Sequence, residues 1–137
     1  FRNAFFQGDT RDMPLDIIPS STGVCIQLIP ANNRTHVLLE GETVISTGNT
    51  AIRTGSADNI DVSIAGTVIG EFSGVSPESA TGSGNSITVQ STGTVISNSF
   101  AALFIEGDIS VMRNFGQVTS FSSPALTVGF GSNSLLV

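Results

Sequence analysis

The stretch Thr43-Val44-Ile45-Ser46 returns three more times along the chain, each time with a small variation. It comes back as Thr67-Val68-Ile69-Gly70, as Thr94-Val95-Ile96-Ser97 and as Gln117-Val118-Thr119-Ser120. The Val residues of these four stretches are 24, 27 and 23 residues apart. A recurring unit of this length, built from alternating apolar and polar residues and separated by Gly, Ser and Asn, is typical of a repetitive, coiled architecture.

Two further kinds of strand follow these stretches in a fixed order. One begins with a small residue and is expected at 51–55, 101–107 and 125–129. The other follows an Asn or Asp turn and is expected at 59–64, 85–89, 108–111 and 133–137. The segment before residue 41 fits the same template more loosely, with its first, second and third strands expected at 15–18, 23–28 and 35–40.

The recurring order predicts an all-β fold, a single-stranded parallel β-solenoid (β-helix) with three short strands per coil. Val44, Ile52 and Ile60 are expected to point into the tube, while Gly and Asn form its corners. An antiparallel β-sandwich is the main rival, because it also has short strands separated by turns. The chain divides into a non-repeat arm or cap at 1–14 and a solenoid at 15–137, with about five coils at 15–40, 41–65, 66–92, 93–115 and 116–137.

The third coil and the single cysteine depart from the repeat. Residues 71–80 form a longer segment that is expected to break the small-residue strand, either as a tolerated surface loop or as a binding loop. Cys25 lies in an alternating strand pattern and is interpreted as a small core residue. An intermolecular disulfide or a reactive thiol is the alternative for this residue.

The N-terminal arm, residues 1–14, carries three of the nine Phe residues, namely Phe1, Phe5 and Phe6. These rings are a large apolar area that must be buried somewhere. We expect the arm either to cap the first coil or to reach a neighbouring subunit.

An uncapped solenoid end exposes unpaired backbone groups together with the cross-section of its apolar core, which favours strand addition. A whole number of coils would keep the corners aligned when copies stack end to end, and such a head-to-tail contact gives an open filament. A cut piece of a longer solenoid would show the same bare end. The end residues that we expect to associate are Leu15, Ile17, Ile18, Leu135, Leu136 and Val137.

The charge balance excludes some classes of function. Eleven acidic and five basic residues give a net charge of −6, whereas a nucleic-acid binder needs a basic surface to neutralise phosphates. We therefore expect no nucleic-acid partner. No apolar run approaches the roughly 20 residues of a transmembrane helix, so no membrane span is expected either.

No motif points to an enzyme, a cofactor or a metal. His36 is the only His and Cys25 the only Cys, so a four-ligand zinc site cannot be assembled from them. His36 is interpreted as a surface residue of a strand, since no Ser or Cys pattern pairs with it. Asp58 and Asp61 are interpreted as solvated corner charges, because the repeat stacks no further Asp on them.

The stretch 93–97, Gly-Thr-Val-Ile-Ser, followed by Ala101 and by 107–114, Gly-Asp-Ile-Ser-Val-Met-Arg-Asn, resembles the degenerate repeats of large secreted bacterial β-helix proteins. These proteins include autotransporter passenger domains and filamentous-haemagglutinin-like adhesins. The resemblance covers about residues 15–137. It implies an extracellular or cell-surface structural or adhesive role, and it carries no catalytic residues.

We therefore predict a non-enzymatic, extracellular structural protein. Its expected form is a filament subunit that stacks end to end, with the arm bridging subunits, so that its main partner is a second copy of itself. Surface glycans are a second predicted partner. The alternative function is a carbohydrate-binding or carbohydrate-cleaving β-helix fragment of the adhesin or phage-tailspike type, and a capped monomeric adhesin is a third possibility.

Overall fold

The computed structural model describes residues 13–28, 31–77, 82–106, 110–129 and 135–137. Within these ranges the chain forms sixteen short strands and no helix. The strands of sheet A are β1 Leu15–Ile17, β4 Arg34–Leu38, β7 Ile60–Ile64, β10 Ser86–Val89, β13 Val111–Asn114 and β16 Leu135–Leu136. Sheet B has β2 Ser21–Thr22, β5 Thr43–Ser46, β8 Thr67–Gly70, β11 Thr94–Ser97 and β14 Gln117–Ser120. Sheet C has β3 Ile26–Gln27, β6 Ile52–Arg53, β9 Val75–Ser76, β12 Leu103–Ile105 and β15 Leu126–Val128.

The chain visits the sheets in the constant order A, B, C, and each strand pairs in parallel with its counterpart one coil away. This is a three-sided parallel β-solenoid with three strands per coil, as the repeat predicts. The antiparallel β-sandwich is excluded, because every strand pair in the described ranges is parallel.

The recurring Val is the centre of the core. Val44, Val68 and Val95 lie in register on one another and are fully buried. Ile52 of sheet C and Ile60 of sheet A also point inward, as predicted. Because side chains alternate along a strand, the Thr and Ile on either side of each Val face outward and are half-buried.

The corner between sheets C and A depends on a left-handed backbone. Asn33, Asn59 and Gly84 occupy it in three successive coils with φ of 59°, 55° and 70°. Asn tolerates this region and Gly adopts it freely, which explains their choice here. Hydrogen bonds connect the corners, since the Asp58 N–H donates to Asn32 Oδ1 at 2.8 Å and the Ser83 N–H to Asp58 Oδ1 at 2.7 Å.

The placement of the first strand corrects the sequence analysis. The stretch 15–18 was expected to be the first strand of its coil, equivalent to Thr43–Ser46, yet Leu15–Ile17 lies in sheet A and pairs with β4. The strand that precedes Thr43–Ser46 in sheet B, and pairs with it on the front side, is Ser21–Thr22. The coils therefore do not form a whole number in the described ranges, since sheet A has six strands and sheets B and C have five each.

The long segment of the third coil contains a strand after all. Val75–Ser76 pairs with β6 on one side and with β12 on the other, so the small-residue strand is kept and the expectation that it breaks is wrong. Val75 is fully buried, and Gly74 has no room for a side chain because Val95 and the Ala102 carbonyl lie against it. Residues 78–80 of the segment lie outside the described ranges.

We predict that Gly84→Ala destabilises the protein much more than Gly48→Ala. At Gly84 an added methyl group meets the Asn59 side chain and the backbone has a positive φ, whereas at Gly48 no atom lies within 4 Å of it. A left-handed backbone at a residue with a side chain costs about 1 to 2 kcal/mol. Urea unfolding curves measure this difference, and equal midpoints for the two variants would contradict the assigned corner.

Candidate functional site: the two ends of the solenoid

The front end of the tube is built by β1, β2 and β3. Leu15 and Ile17 point outward from β1 and are 62% and 52% exposed. Asp16 and Ile18 alternate with them and point inward, and Ile18 is buried. Of the three residues expected at this end, the structure therefore leaves Leu15 and Ile17 at the surface and places Ile18 in the core.

An ion pair occupies the inward side of the front end. Arg34 donates two hydrogen bonds to Asp16, from Nε to Oδ2 at 2.6 Å and from Nη2 to Oδ1 at 2.7 Å. This bidentate geometry is the strong form of a carboxylate–guanidinium contact. Both side chains are about one-fifth exposed, so the pair is partly accessible to water.

His36 lies beside this pair and is not on the surface, which corrects the sequence interpretation. The register of sheet A aligns Asp16, His36 and Val62 on successive strands, and His36 is only 1% exposed. Its Nδ1 lies 3.6 Å from Asp16 Oδ2, and its Nε2 has no hydrogen-bond partner among the described residues. The sequence contains a signal for this position. Side chains alternate along a strand, and His36 lies two residues before the buried Leu38, so both point inward.

The two titratable groups of the cluster are shifted for different reasons. The pKa of Asp16 lies below its ordinary value of 3.8 because Arg34 donates hydrogen bonds to the carboxylate. The pKa of His36 lies below its ordinary value of 6.5 because burial disfavours the charged imidazolium, and the nearby Asp16 charge only partly opposes this effect. His36 is therefore a neutral core residue near neutral pH.

A cavity opens at the front end next to this cluster. Its volume is about 320 Å³, and its walls include Ile18, Ile26, Leu28, Asp16 and His36. Its walls combine apolar and polar side chains in similar measure, and its volume lies at the lower end of the roughly 300–1,000 Å³ range of ligand pockets. The arm residues Phe1, Phe5 and Phe6, which were expected to take part in self-association, lie outside the described ranges.

The back end of the tube is formed by β14, β15 and β16. Leu135, Leu136 and Val137 are 53%, 47% and 57% exposed. Leu135 pairs with Val111 and Leu136 with Met112. Leu136 is therefore in register with the inward-pointing side chains of sheet A, which include His36 and Val62. The Val137 N–H extends the pairing by donating to the Met112 carbonyl at 2.8 Å.

An aromatic cluster on the side of the tube was missed by the sequence analysis. The rings of Phe72 and Phe100 stack in parallel with their centroids 5.2 Å apart, and Phe104 meets Phe100 edge to face at 5.6 Å. Phe72 is 47% exposed. These residues are 28 and 4 positions apart in sequence, so only the coil register reveals that they meet.

The comparisons with known proteins give no relative for this fold. No protein family model, no curated protein and no solved structure matches the chain. Within the described ranges no helix is long and apolar enough to cross a membrane. The same part of the chain contains no group of three or more His, Cys, Asp or Glu residues arranged to hold a metal ion.

We predict that the protein loses stability as the pH falls from 7.5 to about 5 and that a His36→Val variant loses less. A buried His with a lowered pKa binds its proton more readily in the unfolded chain, so acid favours unfolding below the unfolded-state pKa of about 6.5. Arg34 stays charged and Asp16 stays ionised in this window, because the pKa of Asp16 is lowered from 3.8. Thermal unfolding at several pH values measures the effect, and parallel curves for both proteins would contradict it.

Proposed function

We propose that this protein is a non-enzymatic structural subunit that assembles end to end through the two ends of its solenoid. The observation that carries the proposal is the chemistry of the outward positions of sheet A. They are apolar on β1, at Leu15 and Ile17, and apolar again at Leu135 and Val137. On the four strands between, six of the eight residues in register are polar or charged, namely Thr35, Asp61, Ser86, Ser63, Thr88 and Arg113. The other two are Val37 and Val111.

Parallel strand addition would bring these exposed residues together. If β1 of a second copy pairs with β16 in the register of the other strands, Leu15 lies beside Leu135 and Ile17 beside Val137. Neighbouring apolar side chains on paired strands stabilise a sheet by roughly 0.2–1 kcal/mol per pair. The unpaired backbone groups of both edge strands would also gain hydrogen-bond partners.

The third contact of this joint sets a limit on its strength. Leu136 would lie beside Asp16 of the second copy and cover its ion pair with Arg34. Burial of an ion pair costs desolvation energy, which the two short hydrogen bonds of this pair offset in part. We therefore propose an association driven by apolar contact and backbone pairing, with the Asp16–Arg34 pair as its unfavourable part.

We propose that the N-terminal arm takes part in this joint. Sheet A ends at β16, one coil beyond β14 and β15, which are the last strands of sheets B and C. If β1 of a second copy pairs with β16, sheet B and sheet C each have space for one more strand between the two copies. The arm, residues 1–14, immediately precedes β1 of the incoming copy in sequence. The proposed role of the arm is to bridge the two subunits there.

An extracellular or cell-surface location is part of the proposal. It is supported by the low content of charged residues, 12%, and by the resemblance of the repeats to autotransporter passenger domains and filamentous-haemagglutinin-like adhesins. A non-enzymatic role is supported by the isolation of the carboxylates, since Asp61 has Thr35 and Ser86 as its register neighbours on the adjoining strands.

The assembly is tested with a Leu135→Asp/Val137→Asp double variant. We expect the unmodified chain to form polymers in sedimentation velocity and electron microscopy, and the double variant to stay small because each carboxylate would face an apolar neighbour. Leu39→Asp is the control, since Leu39 is 48% exposed and follows β4, which has β1 on one side and β7 on the other. A chain without residues 1–14 should polymerise more weakly. An unmodified chain that stays monomeric at high concentration rules the proposal out.

Glycan binding is a second candidate function, favoured by the Phe72–Phe100 stack. An exposed aromatic face beside polar groups is suited to the apolar face of a sugar ring, and Glu71 and Asn98 lie at this corner, joined by a hydrogen bond of 2.6 Å. We expect Phe72→Ala to reduce retention on immobilised neutral polysaccharide at least tenfold. Phe115→Ala is the control, because Phe115 is 61% exposed on another corner. Equal retention of both variants would exclude this site.

A further inference from the structure

We propose that the outward face of sheet B is an ice-binding surface. This role goes beyond end-to-end assembly and does not rest on it, because the face lies along the side of the tube rather than at its ends. The proposal depends on the outward side chains of the sheet, which repeat in register and carry no charge.

The outward side chains of sheet B form two in-register columns. One column has threonine on three successive strands, at Thr43, Thr67 and Thr94. The other column has isoleucine on the same strands, at Ile45, Ile69 and Ile96. Threonine continues the isoleucine column on both sides, because Thr22 is in register with Ile45 and Thr119 with Ile96. The face is therefore a regular array of hydroxyl and methyl groups.

The core does not require this regularity. Only the inward side chains and the corners must recur for the coils to stack, and the outward residues of the other two sheets change from coil to coil. One outward row of sheet A contains Thr35, Asp61 and Ser86, and in sheet C Arg53 lies beside Ser76. Within the described ranges, sheet B is the side of the tube whose outward residues in register include no charged group.

The two columns define a grid whose dimensions follow from the β-sheet itself. Neighbouring strands lie about 4.8 Å apart, and alternate residues of one strand lie about 6.7 Å apart. These two distances are close to the oxygen repeats on a prism face of ice. Thr and Ile are β-branched and adopt few rotamers, so the grid is held in place before any contact. Binding to an ordered lattice therefore costs little side-chain entropy.

The threonine hydroxyls of the grid can bond to water. Those of Thr43, Thr67 and Thr94 form no hydrogen bond with another described residue. In contrast, the hydroxyls of Thr92 and Ser97, at the two ends of the same stretch, donate to the carbonyls of Ala65 and Phe100. The described outward residues of this face also include no aromatic ring, so it lacks the stacking platform that suits a sugar. These features favour ice over a glycan as the ligand.

The experiment measures uptake of the full chain into slowly growing ice and its inhibition of ice recrystallisation. Thr67→Tyr places a bulky ring at the centre of the grid. It should raise the protein concentration needed for inhibition by roughly tenfold, because the contacts of a rigid array act together. Thr94→Tyr is a second variant of the same column. Thr88→Tyr is the matched control, since Thr88 is also a half-buried outward residue with a strand on each side, but it belongs to sheet A. Far-UV circular dichroism confirms that each variant is folded.

Exclusion of the unmodified chain from ice, or equal inhibition by the Thr67→Tyr and Thr88→Tyr proteins, would overturn the ice-binding surface. Side-by-side bundles without ice uptake, lost in Thr67→Tyr, would also overturn it, because the face would then bind a second copy. The Leu135→Asp/Val137→Asp chain separates this test from that of end-to-end assembly, and it should still enter ice. Ice uptake without polymers would exclude the assembly and support the ice-binding surface, whereas polymers without ice uptake would do the reverse.

Discussion

The in-register parallel pairing of strands is the constraint on which every other feature of this protein depends. Each strand is bonded to the same kind of strand one coil away, so that Val lies on Val along sheet B. A slip by one residue would exchange the inward and outward faces of the whole strand. The coils therefore must keep their corners aligned, and the left-handed residues Asn33, Asn59 and Gly84 recur because the same bend must be made at the same place.

The same constraint explains why the ends differ from the middle. In the middle of sheet A the inward row contains Val62, Ile87 and Met112, each covered on both sides by a neighbouring coil. At the front end this row contains His36 and then Asp16, which keeps contact with water and with Arg34. A charged group is tolerated in an inward position only where one side remains open, so its presence marks the boundary of the apolar core.

The sequence was sufficient for the fold class because the repeat of Thr-Val-Ile-Ser fixes sheet B directly, and the other strands follow from it in order. The sequence was not sufficient to assign the strands that do not follow the repeated pattern. Leu15-Asp16-Ile17 has no preceding Gly and reads equally well as either kind of strand, which is why its sheet was misassigned. Val75–Ser76 follows an irregular segment. Arg34 and His36 lie 18 and 20 residues after Asp16, so only the register brings them to it. The apolar end residues, in contrast, are visible in the sequence itself.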